Sequence, residues 1–145
     1  MKFIVSSQLL LRSLQSISGV LSTNSTLPIL DNFLFSLEGD SLTVTASDIE
    51  TTMSVVIPLV KSEDDGKIAI PAKILIDTLK TFGDIPISFI INLENQLIEL
   101  ATDDGKFKMS GFDGDEFPSY PEMETSSEIV IKDEILEQAI AKTIF

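Results

Sequence analysis

The sequence predicts an α+β protein in which two helices pack on predominantly antiparallel sheets. Two segments repeat apolar residues at three-and-four spacing: Leu10, Leu14, Ile17 and Leu21 in the first, and Ala72, Leu75, Ile76 and Leu79 in the second. That spacing is the stripe of a helix with one buried face. Seven or eight further segments read as short strands, separated by tight polar connections such as Glu38-Gly39-Asp40.

Taken in order, residues 2–5 form a short strand, and Ser6 or Ser7 caps a helix running to about Val20. Gln8, Arg12, Gln15 and Ser16 lie off its apolar stripe. Leu27-Pro28-Ile29-Leu30 is an apolar loop pinned by its proline. Residues 33–37, 42–47 and 51–59 follow as an antiparallel meander. Leu42, Val44 and Ala46 alternate with Thr43, Thr45 and Ser47, which predicts one buried and one wet face. After the acidic loop Glu63-Asp64-Asp65-Gly66 come a strand over 67–71 and a second helix over 72–82. Lys73, Asp77 and Lys80 sit opposite the apolar stripe of that helix. Three more strands fit 87–92, 97–102 and 106–111, and Phe117-Pro118-Ser119-Tyr120-Pro121-Glu122 reads as a linker.

Composition narrows the chemistry. The 145 residues suffice for one domain with a substantial core. With no Cys and no His, the chain has no disulfide, no thiolate nucleophile and no imidazole acid–base group. No run reaches transmembrane length and the start is not a signal-peptide core, so the expected location is cytoplasmic. The formal net charge of −13 is unevenly spread. Residues 1–30 hold Lys2 and Arg12 and no acid, whereas residues 111–134 hold Asp113, Asp115, Glu116, Glu122, Glu124, Glu128, Asp133 and Glu134 against Lys132 alone. A neutral or locally positive face toward nucleic acid is compatible with that segregation.

Catalysis finds no constellation. Asp64-Asp65 and Asp103-Asp104 stand in turns beside glycine, where short polar side chains serve the turn, and no base or nucleophile accompanies them. Asp113-Gly114-Asp115-Glu116 has the composition of a calcium loop, but Phe117, Pro118 and Pro121 break its ligand spacing, so no metal or cofactor is expected. Arg12, Lys73 and Lys80 are either solvated surface cations or phosphate contacts, with Gln15 and Asn24 as uncharged companions.

The end of the chain repeats its beginning. Phe3-Ile4-Val5 leads into Leu10, Leu14 and Ile17; at one constant offset, Ile129-Val130-Ile131 leads into Leu136, Ile140 and Thr143. A strand and amphipathic helix are begun a second time, which divides the chain into a first domain over 1–126 and the truncated start of a similar one over 127–145.

Five motifs in register add a resemblance. Met1-Lys2-Phe3, Ser25-Thr26-Leu27-Pro28-Ile29-Leu30 with Asn32, Thr45-Ala46-Ser47-Asp48-Ile49-Glu50, Ile70-Pro71-Ala72-Lys73 and Glu116-Phe117-Pro118 together resemble the amino-terminal domain of the bacterial replicative polymerase sliding clamp family. The resemblance covers essentially the whole chain and implies the DNA-clamp fold. It implies a noncatalytic processivity factor: two subunits of three similar domains each, closed head to tail around double-stranded DNA with helices lining the hole. Arg12, Gln15, Lys73 and Lys80 would then face the phosphates, and the loop over 22–25 would approach them. The family often carries arginine where this chain has Asn24, so contact there is weaker. Ile74, Phe107 and Met109 would lie at the joint with the second subunit; alternation alone leaves Phe107 and Met109 equally readable as core. Replicative polymerase and clamp loader would bind through domains absent here. The alternative from another class is a protein-interaction module that recruits partners by a sheet edge, with no nucleic-acid role.

Overall fold

A computed structural model describes residues 1–21, 27–103, 105–118 and 130–144. Alternation makes β1 (Lys2–Ser6): Phe3 and Val5 turn inward, Lys2 and Ile4 outward. Ser6 ends the strand and caps α1 (Ser7–Ile17), its hydroxyl accepting from the Leu9 amide at 3.3 Å. A 3-10 turn over Ser18–Val20 closes the helix, three residues short of the predicted end. A second 3-10 turn, Pro28–Asp31, carries proline in its first turn, where the missing N–H costs nothing. Buried Asn32 explains that motif, since its amide donates to the Pro28 and Ile29 carbonyls at 3.1 and 2.9 Å.

The meander forms as β2 (Asn32–Glu38), β3 (Ser41–Ser47) and β4 (Thr52–Pro58). Its polar face is drier than alternation implied: Thr45 and Ser47 are both 4% exposed. Cross-strand hydroxyl pairs, Thr45 with Ser54 at 2.8 Å and Ser47 with Thr52 at 2.9 Å, satisfy them. The chain then supplies β5 (Lys61–Glu63), β6 (Gly66–Pro71), α2 (Ala72–Leu79), β7 (Pro86–Asn92), β8 (Leu97–Thr102), β9 (Gly105–Ser110) and β10 (Phe112–Asp113). Sequence reading missed the two- and three-residue strands β5 and β10, which are too short to show periodicity. It also ran α2 to residue 82, whereas Lys80 is the C-cap and residues 81–82 continue as a turn.

The sheets interleave the chain. One has the order β5-β1-β7-β8-β9, the other β10-β6-β2-β3-β4, and every pairing is antiparallel. Two βαβββ units are visible in that order, β1-α1-β2-β3-β4 and β6-α2-β7-β8-β9, and each donates its first strand to the meander of the other. Register makes the units equivalent residue by residue. Phe3 opposite Phe89 corresponds to Ile68 opposite Phe35, and Leu10 and Leu14 of α1 correspond to Leu75 and Leu79 of α2.

This exchange leaves one core. Phe3, Phe35 and Phe89 stack across the two sheets, with Phe3 and Phe89 centroids 4.7 Å apart, and both helices bury their stripes in the same cluster. Ser7 ties the start of α1 to the chain after α2: its hydroxyl donates to the Gly83 carbonyl at 2.6 Å and accepts from the Ile85 amide at 3.0 Å.

The linker reading fails at Phe117. This ring is 5% exposed and packs with Leu30 and Ala69 in a second cluster, so residue 117 belongs to the packed body and not to a connection. Before it, Asp113 accepts from the Asp115 amide and caps a 3-10 turn over Gly114–Glu116. A side chain at Gly114 would meet the Lys67 backbone at 2.7 Å, so only glycine lets this turn lie against β6. α3 (Asp133–Thr143) forms where the repeat predicts a helix, with Leu136 and Ile140 about half exposed and no residue buried. Val130 and Ile131 do not form the predicted strand; among the described residues no neighbouring strand supplies the ladder that would define one.

Candidate nucleic-acid interface

The exposed faces of α1 and α2 gather most of the sequence-predicted DNA-facing residues. Arg12 and Gln15 stand on the side of α1 opposite Leu10 and Leu14, and Lys73 stands on α2 opposite Leu75 and Leu79. Burial of one stripe in the shared core turns the other to solvent. α1 carries no acidic residue, and Asp77 is the single acid of α2. Asp77 holds Lys80 at 3.2 Å, an exposed pair of small energetic weight. Arg12 and Lys73 form no ion pair among the described residues. The helix layer thus shows net positive charge on a chain of net charge −13. Asn24 and its loop lie outside the described residues.

The equivalence of the two units adds detail. Gln8 and Lys73 occupy matching positions, as do Arg12 and Asp77, and Gln15 and Lys80, so the cationic character is not duplicated but assembled from unlike halves. Point charges and amides of this kind position a phosphate backbone without reading bases.

The sheet ends match in the same way. Leu9 corresponds to Ile74, Val55 to Phe107 and Ile57 to Met109, because Val44 and Leu42 pair with the first set as Leu100 and Ile98 pair with the second. The ends differ in cover. α1 lies along β4 and Ile57 is buried, whereas the shorter α2 packs on α1, β2 and β6. β9 is therefore left open. Met109 packs partly against the core, while Phe107 stays 43% exposed and Ile74 54% exposed. Phe82 reaches over this edge, meeting Phe107 edge to face at 5.3 Å. Periodicity gave no signal for that contact, since Phe82 follows the helix.

A depression of about 350 Å³ lies on the outer face of the second sheet, beside Thr43, Thr45, Lys67 and Phe117. It shares no residue with the helix layer. No cluster of His, Cys, Asp or Glu among the described residues has metal-binding geometry, and no helix described is long and apolar enough to cross a membrane.

Comparison with known proteins agrees with this architecture. The family model for the DNA polymerase III beta subunit, N-terminal domain, matches residues 1–121. The chain belongs to the DNA polymerase III beta subunit family. Over all of its length it is similar to the beta sliding clamps of Pseudomonas aeruginosa, at 30% identity, and Haemophilus influenzae, at 28%. It spans 39% of the length of each. A beta sliding clamp sequence from Vibrio harveyi, 28% identical, is covered over 99% of its length. The crystal structure of the DNA polymerase III subunit beta from Pseudomonas aeruginosa superposes with a TM-score of 0.89 at 28% identity, over 97% of this chain and 38% of that one. The α+β arrangement of helices on antiparallel sheets is the fold of this family.

Proposed function

We propose that this chain is one arc of a noncatalytic ring that encloses duplex DNA and tethers the replicative polymerase during synthesis. The observation that carries this reading is the acid-poor cationic helix layer on an otherwise strongly acidic molecule. Arg12, Gln15, Lys73 and Lys80 contact phosphates from the wall of the hole, with Asn24 contributing from its loop. Residues 1–126 are the first domain, and residues 127–145 begin a second one whose exposed apolar stripe on α3 awaits its own core.

Equivalent ends suit an arc, because a module that presents like edges on both sides joins neighbours on both sides. The open β9 end, with Ile74, Phe107 and Met109, is the joint to a second subunit. Polymerase and clamp loader engage the protein through domains beyond these residues.

Weak contacts suffice for this role. A closed ring leaves DNA only by opening or by sliding off an end, and few phosphate contacts leave it free to slide. The test is retention of the protein, extended by the further domains proposed for it, on nicked circular and on linear duplex after loading. Persistence on circles with rapid loss from linear DNA is expected; equal retention on both overturns the ring. Arg12→Ala with Lys73→Ala should flatten the dependence of DNA affinity on salt by about two phosphate contacts and leave thermal stability unchanged. An unaltered slope removes these residues from the interface.

A further inference from the structure

The two helices reach the same charge by unlike means. The exposed ridge of α1 is Gln8, Arg12 and Gln15; that of α2, continued onto its C-cap, is Lys73, Asp77 and Lys80. Both sets are spaced by four and then three residues, so the side chains of each stand on one face, one above another. The first ridge carries one positive charge, from an arginine between two amides. The second also carries one, from two lysines with an aspartate between them. Arg12 and Asp77 match in position and differ in sign, yet the totals agree.

Folding does not call for Asp77. It lies in the last turn of α2, where a carboxylate meets the negative end of the helix dipole. Its side chain is 58% exposed and makes no hydrogen bond or ion pair among the described residues other than that with the Lys80 ammonium at 3.2 Å. An exposed pair of this kind adds little to stability. What it changes is the ridge that a ligand meets. With Lys80 donating to Asp77, Lys73 is the lysine of the ridge left free. Lys73 stands four residues before the carboxylate and Lys80 three after it, so Asp77 can hold either, and one ammonium remains in both cases.

We propose that, in the DNA-facing role proposed for this layer, on which the inference rests, Asp77 limits the grip on DNA by competing with phosphates for the lysines of α2. A phosphate reaches Lys80 by displacing the carboxylate, which exchanges one ion pair for another and brings a negative charge to the duplex along with the positive one. The salt-dependent part of binding then grows by fewer contacts than two free lysines give. Loose phosphate contacts permit movement along the duplex, and a ring retained by its closure needs no tighter hold.

The experiment compares Asp77→Asn and Asp77→Glu with the parent in the protein extended by its further proposed domains. Affinity for a short duplex is measured over a range of salt, with Arg12→Ala plus Lys73→Ala as the reference. Asp77→Asn should tighten binding at low salt by up to about fivefold, the scale of one exposed ion pair, and steepen the salt dependence by about one phosphate contact. Asp77→Glu keeps a carboxylate within reach of Lys80 and should return the parent values. Melting temperature should not fall in either variant; a fall in Asp77→Asn would make the residue a structural one and overturn the proposal. In the 145-residue protein, the Lys80 ε-methylene NMR signal should shift further on adding duplex in Asp77→Asn than in the parent. Unchanged affinity and slope in Asp77→Asn, while the reference pair flattens the slope, overturns the competition and leaves the interface standing. Indifference of both sets removes the helix layer from DNA, and Asp77's role with it. Equal gains from Asp77→Asn and Asp77→Glu, or a Lys80 signal that shifts alike with and without the carboxylate, would show that Asp77 does not act through its hold on Lys80.

Discussion

Ile49 is a β-branched residue with φ of 81° and 60% exposure, at the tip joining β3 to β4. Left-handed backbone costs such a residue roughly 1–2 kcal/mol, and the turn holds it there by local hydrogen bonds. The Asp48 carboxylate accepts from the Glu50 and Thr51 amides at 3.1 and 2.6 Å, and the Ser47 hydroxyl accepts from the Ile49 amide at 3.2 Å. Ile49→Asn should therefore raise unfolding stability by about 1 kcal/mol, measured by urea denaturation, since asparagine tolerates this conformation. A destabilised variant would mean that the exposed isoleucine makes a contribution its surroundings do not reveal. The sequence marked this turn through Asp48-Ile49-Glu50, but not its handedness, which follows from how the β3–β4 register closes. Arg12, Gln15 and Lys73 were legible because a helix stripe identifies its own opposite face. Whether Phe107 and Met109 were core or surface was not, because alternation gives the facing of a residue and not what covers it.

At the scale of elements, the edge strand β9 separates two effects. Toward the core side it offers Phe107; on its outer side Lys106 and Lys108 hold Glu99. Phe107→Ser should change the stability of the 145-residue chain by less than about 1 kcal/mol, because the ring is already half exposed. In the proposed ring it should weaken the joint between subunits on the order of tenfold or more, read by sedimentation. The hydrogen bond from Lys106 acts most strongly on the Glu99 carboxyl and burial opposes it next, but the charge of Lys106 and the contacts of Lys108 add to the lowering, so the group is held below its ordinary value. A carboxyl whose folded value is depressed contributes stability at pH above its unfolded value and loses that contribution as pH falls through its folded one. Between roughly pH 5 and pH 3, where ordinary carboxylates titrate, Glu99→Gln should lose less of its urea midpoint than the parent. Parallel curves for the two proteins would show that the pair is neutral to folding.

Across the whole molecule, strand exchange makes the two units inseparable. Each sheet is completed by a strand from the other half, and Phe3, Phe35 and Phe89 lock the sheets together. Neither unit has a core of its own, so the domain should unfold in one step. Phe89→Ala empties a fully buried ring site and should cost about 3–5 kcal/mol. Its loss should move the far-ultraviolet circular dichroism and core methyl NMR transitions together; separate midpoints would mean that one unit holds structure alone. By itself the sequence determined the two helices, the main strands and which side of each turns inward, because periodicity is a local property that solvent enforces on any amphipathic segment. Only the tertiary structure decided that β1 and β6 change places, that Phe117 docks on Ala69, that a short α2 leaves β9 uncovered, and that Lys106 and Lys108 meet Glu99 across β8 and β9. Each of these depends on which distant segments pair and at what register, and pairing of that kind is chosen by the packing of the whole core.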